Sequence, residues 1–229
     1  MGRHSVAVID PGPDIEPHVR ALASAVAGSH EVTILVTHHH GDHAAAAPSL
    51  AAALAAEAGA VVAGPEGIDG VERVLDDGAV VETDDGPLVA VHTPGHSRDH
   101  LCFHWPEREA LFAGDLLLGV GHTTWVAEYP GCVADYLASL DRLRSLDLDV
   151  VYPAHGPPIE DPAGALDRFE DHRRARIEQV REAIERHPDA DADALLDAVY
   201  GLEVPESVRG AALRSLLALV EYVEHTVGP

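Results

Sequence analysis

Six residues, His38-His39-His40-Gly41-Asp42-His43, place several side chains of metal-ligating type on one short segment. Written as His38-x-His40-x-Asp42-His43, the spacing offers two imidazoles to one cation and a carboxylate with an imidazole to a second. The preceding Val32-Thr33-Ile34-Leu35-Val36 is a β-branched run of buried-strand length, and the stretch from Ala44 to Ala58 is Ala-rich and helical in character. The ligands therefore fall on a strand-to-helix loop, where α/β sheets commonly present their chemistry. Taken alone, a His triplet in a chain with 16 His is also explained by composition. His39 alternates away from its neighbours and reads as a supporting or solvent-facing side chain rather than a ligand.

Three further segments follow in order: Thr93-Pro94-Gly95-His96-Ser97, Phe112-Ala113-Gly114-Asp115 and Pro153-Ala154-His155-Gly156. Each follows an apolar run that ends in a Gly- or Pro-containing turn, which lets a rigid strand end present one side chain to a cleft. With these four motifs in this order, about two thirds of the chain resembles the metallo-β-lactamase-fold hydrolases. The resemblance implies His38, His40 and His96 on a first metal, Asp42, His43 and His155 on a second, and Asp115 bridging both. It also makes Asp10, in the Asp10-Pro11-Gly12 turn, the carboxylate that supports a metal-binding His, although a plain strand-ending turn explains the same residues.

These donors suit two Zn²⁺ per chain, with Fe or Mn as alternatives because ligand type alone does not choose the metal. Two cations roughly 3.5–4 Å apart share a hydroxide whose parent water has its pKa lowered toward about 7. Asp42 and Asp115 are the candidate catalytic carboxylates, accepting the hydrogen bond that orients that hydroxide. The expected reaction is hydrolysis of a small acyl substrate, a thioester, ester or lactone, with no organic cofactor. A single-strand endoribonuclease and a mononuclear iron persulfide dioxygenase are the alternatives. Zinc β-lactamases of the commonest type place a Cys where this chain has Asp115, and flavodiiron proteins place a Glu where His40 stands, so neither activity is expected. The stretch between Asp115 and His155 is too short for an inserted RNA-cleaving domain.

The elements that must position these residues follow from the hydrophobic pattern. Strands are expected over residues 5–9, 32–36, 61–63, 79–83, 88–92, 100–105, 110–113 and 150–152, with helices over 15–27, 44–57, 132–145, 162–187, 190–200 and 208–227. The fold class is α/β: a four-layer αβ/βα metallo-β-lactamase sandwich with a small all-helical C-terminal segment and truncated N-terminal strands. Residues 1–160 are expected to form the catalytic domain and 161–229 a helical, winged-helix-like domain without a clear wing, similar to the family branch represented by β-lactamase-like protein 2. An uncovered sheet edge at the N-terminus would suit a homodimer. His100 and His104 share a strand face and read as packed imidazoles. His122, Trp125 and Tyr129, on the Gly-rich loop after Asp115, are the candidate substrate contacts.

Charge limits the partners. The chain carries 39 acidic residues against 15 basic ones, all of them Arg, for a net charge of −24. Such a field repels phosphate backbones, so nucleic acid is a disfavoured partner and a small acyl compound a favoured one. The Arg173, Arg174, Arg176, Arg181 and Arg186 cluster reads as a solvated helix interleaved with Glu170, Asp171, Glu178, Glu182 and Glu185. The endoribonuclease alternative needs Arg173, Arg174 and Arg176 to form a local positive path. No apolar run approaches the ~20 residues of a membrane span and no targeting segment precedes the first strand, so a cytoplasmic protein is expected. Cys102 and Cys132 lie far apart in sequence, and Cys102 reads as a small buried hydrophobe.

Overall fold

The computed structural model describes residues 4–55, 59–201 and 204–226. The expected helix ends at Glu57 and Val227 lie outside the described residues. The chain divides into two compact units. The first comprises Met1–Thr93, Asp99–Val120 and Asp147–Pro162, and the second Pro94–Arg98, Gly121–Leu146 and Ala163–Pro229.

The first unit contains two sheets. Strands β1 (Ser5–Ile9), β2 (Glu31–Leu35), β3 (Gly59–Gly64) and β4 (Arg73–Val74) form a parallel sheet in that order. Strands β5 (Val80–Val81), β6 (Leu88–His92), β7 (Leu101–Trp105) and β8 (Ala110–Gly114) are antiparallel neighbours, and β9 (Val150–Pro153) runs parallel to β8 at the edge. β2 shows why the first sheet is central. Its Val32 and Ile34, with Val36, pack with Val19 of helix α1 (Glu16–Ala25) and Leu50 and Leu54 of helix α3 (Ala47–Leu54), while Leu35 turns the other way. On that second face Leu35, Ala7 and Ala63 meet Leu88, Ala90, Leu101 and Phe103 of the antiparallel sheet. The period of two thus buries β2 on both sides. Phe103 is fully buried between the sheets, and truncating it to Ala would cost roughly 3–5 kcal/mol.

The Ala-rich segment does not form the single helix expected over 44–57. It divides into the one-turn α2 (Gly41–Ala44) and α3, because Pro48 in the first turn of α3 has no N–H to donate backward. β4 escaped the sequence reading because two exposed residues carry no periodicity.

The second unit is built on helices α4 (Cys132–Leu143), α5 (Pro162–Arg186), α6 (Ala192–Tyr200) and α7 (Glu206–Thr226). α4 starts at Gly131, whose left-handed φ of 87° suits only glycine without strain, and it buries Val133, Tyr136, Leu140 and Leu143 along one stripe. α5 buries Leu166, Phe169, Arg173, Val180 and Ala183 at helical spacing. Asp191 caps α6 by accepting from the Ala194 N–H at 2.9 Å. No helix among the described residues is long and apolar enough to cross a membrane.

Candidate metal centre

The site in the first unit begins with Asp10, just past the end of β1. Its backbone takes a φ of +47°, an uncommon conformation for a residue with a Cβ. Three hydrogen bonds offset that cost. The Thr37 N–H donates to Oδ1 at 2.8 Å, and the Thr37 hydroxyl and His43 Nδ1–H donate to Oδ2, each at 2.8 Å. Asp10 therefore ties the ends of β1 and β2 to helix α2 and buttresses His43, rather than serving only as a turn residue.

This arrangement assigns the tautomers. Once the Thr37 hydroxyl donates to Asp10, its oxygen accepts from His38 Nδ1–H, 2.9 Å away. In their neutral forms His38 and His43 then both carry the ring lone pair on Nε2, the atom a metal would take. His38 Nε2 lies 3.0 Å from His40 Nδ1. His43 is 1% exposed at its side chain, and its Nε2 is buried without a hydrogen-bond partner. Burial alone would lower its basicity, but the Asp10 and Asp115 carboxylates outweigh it and raise the metal-free pKa to about 10. A dication at Nε2 would satisfy the same charge demand as that proton.

Asp115 stands at the end of β8 on a strained turn. Gly114 has φ +48°, and a Cβ there would fall 2.6 Å from His100 Nε2 and 2.9 Å from Thr37 Oγ1. Only glycine lets the chain pass. His100, expected as a packing residue, is fully buried and uses both ring nitrogens: Nδ1–H donates to Thr93 Oγ1 at 3.0 Å, and Nε2 accepts from the Asp115 N–H at 3.2 Å. Across the β8 to β9 pairing, the Ala154 N–H donates to the Gly114 carbonyl at 3.0 Å and the Gly119 N–H to the His155 carbonyl at 2.8 Å. These bonds fix the loop that carries His155.

The donors converge. His43 Nε2 lies 3.6 Å from both Asp42 Oδ2 and Asp115 Oδ2, and His155 Nε2 lies 3.2 Å from Asp42 Oδ2 and 3.5 Å from Asp115 Oδ1. Tetrahedral bonds of about 2.0–2.1 Å imply donor separations of roughly 3.3 Å, so this set fits a divalent cation with nitrogen and oxygen ligands. His38, His43 and Asp115 form a second convergent trio, which places Asp115 beside both imidazoles. Exposure is graded: the Asp115 side chain is 12% exposed, His155 48% and Asp42 56%. His39 turns away, its N–H and Nδ1 bonded to Asp99 at 3.1 and 3.0 Å.

The second unit holds the remaining candidates. His96 Nδ1–H donates to the Trp125 carbonyl at 2.9 Å, which leaves its Nε2 as the lone-pair donor. The backbone around His96 is confined, since a Cβ on Gly95 would meet Tyr136 at 2.5 Å and Ser139 Oγ donates to the Pro94 carbonyl at 2.7 Å. Arg173, 4% exposed, donates from Nη2 to the Thr124 carbonyl at 3.0 Å and lies 5.3 Å over the Tyr136 ring. Trp125 itself lies under Arg214, His122 packs edge-on against His172, and Tyr129 donates to Asp135 at 2.9 Å beneath Arg98. Burial and the nearby His122 lower the His172 pKa to about 4.

The roles of Thr37, Gly114, Arg173 and His100 are not evident from the sequence. The only local signal for the first was a hydroxyl beside the His run, and the others depend on partners distant in sequence.

The sequence matches the Metallo-beta-lactamase superfamily over residues 2–155. It is 31% identical over 216 residues to a beta-lactamase-like protein 2 homolog of Caenorhabditis elegans, covering 91% of this chain and 71% of that one. It is also 31% identical over 226 residues to an atrochrysone carboxyl ACP thioesterase of Aspergillus fumigatus, covering 93% of this chain but only 52% of the relative, so it spans about half the length of that protein. A metallo-beta-lactamase family protein of Thermus thermophilus superposes with a TM-score of 0.79 at 22% identity, covering 99% of this chain and 87% of the other. Fold, motif order and convergent donors agree, and this chain belongs to the metallo-beta-lactamase superfamily.

Proposed function

We propose that the protein is a dinuclear metal-dependent hydrolase of a small acyl compound, a thioester, ester or lactone. The observation that carries this reading is the buried Nε2 of His43, which makes no hydrogen bond and lies 3.6 Å from the Asp42 and Asp115 carboxylates, in one group with His155. In this proposal His38, His40 and His96 would hold one ion and Asp42, His43 and His155 the other, with Asp115 as the ligand they would share. Zinc is the assigned metal because imidazole and carboxylate donors suit it, although iron and manganese accept the same donors. Two bound dications would supply Lewis acidity and lower the pKa of water toward about 7.

The chain's own residues supply the rest. Asp10, Thr37 and the Trp125 carbonyl each bond one imidazole at Nδ1, which leaves Nε2 of the neutral ring for an ion. Asp42, half exposed, accepts the hydrogen bond of the attacking water, and the more buried Asp115 keeps the donors together. His122, Trp125 and Tyr129 are the proposed loop contacts to substrate, and the cytoplasm is the proposed compartment. The thioesterase name of the Aspergillus relative supports an acyl substrate.

The partners of the three expected arginines support the acyl reading over an endoribonuclease. Arg173 is buried on the Thr124 carbonyl, Arg174 pairs with Glu170 at 2.6 Å, and Arg176 bonds Gln179 and lies over Tyr200. The test is elemental analysis followed by a thioester, ester and lactone panel. About two transition-metal ions per chain and metal-dependent acyl hydrolysis are expected, as for a complete dinuclear donor set. One iron without zinc would move the protein to the dioxygenase class. Efficient low-salt cleavage of single-stranded RNA, lost on replacing Arg174 and Arg176, would overturn the acyl reading.

A further inference from the structure

A cavity of about 630 Å³ in the first unit opens beside the candidate metal donors, with Asp42, His43 and His155 in its wall. Its volume falls within the roughly 300–1,000 Å³ of small-molecule sites. One side of the wall is aromatic. Trp105, Phe112 and Tyr152 come from β7, β8 and β9, where Phe103 faces Phe112 and Phe112 faces Tyr152 in register, so the three rings share one face of the sheet. They form a row of nearly parallel rings: Trp105 and Phe112 lie 6.4 Å apart at 20°, and Phe112 and Tyr152 lie 5.3 Å apart at 26°. The row is anchored at one end, where Trp105 Nε1 donates to the Asp85 carbonyl at 2.9 Å. At the other end it stops on Tyr152, 39% exposed on the edge strand and one residue before the turn that leads to His155.

An aromatic row of this kind presents ring surface to a flat guest, and a further ring adds to it in the same offset-stacked manner. The acidic groups of the wall, Asp10 and Asp42, lie with His43 at the donor end, which leaves Trp105, Phe112 and Tyr152 as an uncharged surface for the guest. We infer that this cavity receives the flat, unsaturated acyl part of the substrate, so that aryl thioesters or esters are preferred over aliphatic ones of equal size. The inference rests on the hydrolase reading for its chemistry, but the binding surface stands independently of it.

The test uses the zinc-loaded full chain with benzoyl, 2-naphthoyl, acetyl and hexanoyl thioesters of one thiol, and separately measures equilibrium binding of 2-naphthoate and hexanoate, which are inert to hydrolysis. The naphthoyl compound should show the highest kcat/KM, and naphthoate should bind more tightly than hexanoate. One stacked ring corresponds to roughly a three- to tenfold change in affinity. Tyr152→Ala should narrow both ratios by that factor and Tyr152→Phe should restore them, with unchanged melting temperatures showing that the variants fold. Selective naphthoate binding without any acyl turnover would sustain the cavity assignment and remove the hydrolase reading. Acyl turnover with no aryl preference, and ratios unmoved in Tyr152→Ala, would overturn the cavity assignment and leave the hydrolase reading intact.

Discussion

His43 and His96 are two imidazoles of the same expected kind held by different means. In the first unit His43 donates to a carboxylate, Asp10, which also receives two donors from Thr37. In the second unit His96 donates to a neutral carbonyl, that of Trp125, on a loop whose adjacent Thr124 carbonyl is held by buried Arg173. A carboxylate adds negative charge behind the ring and makes it a stronger base, whereas a carbonyl only orients it. The two rings thus differ in what tunes them: His43 is tuned by charge, His96 by the rigidity of its backbone.

The largest expected effect lies at Asp115, beside His43 in the first unit. Asp115→Ala should lower turnover roughly a hundredfold or more while the far-UV spectrum and melting temperature of the metal-free protein stay near the wild type. Unchanged activity would remove Asp115 from the site. Next, Asp10→Asn keeps the shape but withdraws the charge behind His43, and metal affinity measured by competition with a chelator should fall about 10–100-fold. An equal loss in Trp125 loop variants would erase the distinction between the two rings.

Arg173→Gln should have a smaller effect, about tenfold, confined to one of the two ions. The absorption of a cobalt-substituted sample would report it as a change in one ligand field while the other persists. The smallest effect is a pH dependence in the second unit. His172 has its folded pKa lowered to about 4 from 6.5, so the unfolded chain binds the proton more readily and the folded state loses stability as pH falls from 6.5 toward 4. In His172→Gln the melting temperature should decline less steeply across that window. An identical slope would mean that other groups carry the acid response.

Much of the donor segment in the first unit was legible in the sequence because its parts are local. The β-branched run 32–36 sets the strand, and the four donors follow within seven residues of its end. The Ala-rich stretch after them hid a break because composition reports helix propensity, while the break comes from one missing N–H at Pro48. The role of His100 was not legible, since a His on a strand reads as packing until the Asp115 N–H is seen to donate to it. Arg173 was the plainest misreading. Charge counting placed it on a solvated face with Arg174 and Arg176, but the helical phase turns it inward, toward Tyr136 and Thr124. Sign can be read from sequence, whereas burial depends on what the rest of the chain brings to that face.

Gly114 carries a consequence for recognising competent relatives. Any side chain there would collide with both His100 and Thr37, and so disturb the group beneath the Asp115 backbone and the hydroxyl that sets the His38 tautomer together. A homologous sequence that keeps every donor yet places a bulkier residue at this position should therefore be sorted apart from working copies, as a scaffold whose ligands are present in name but cannot meet. Variants made to probe the site should leave that position fixed and vary the walls around it.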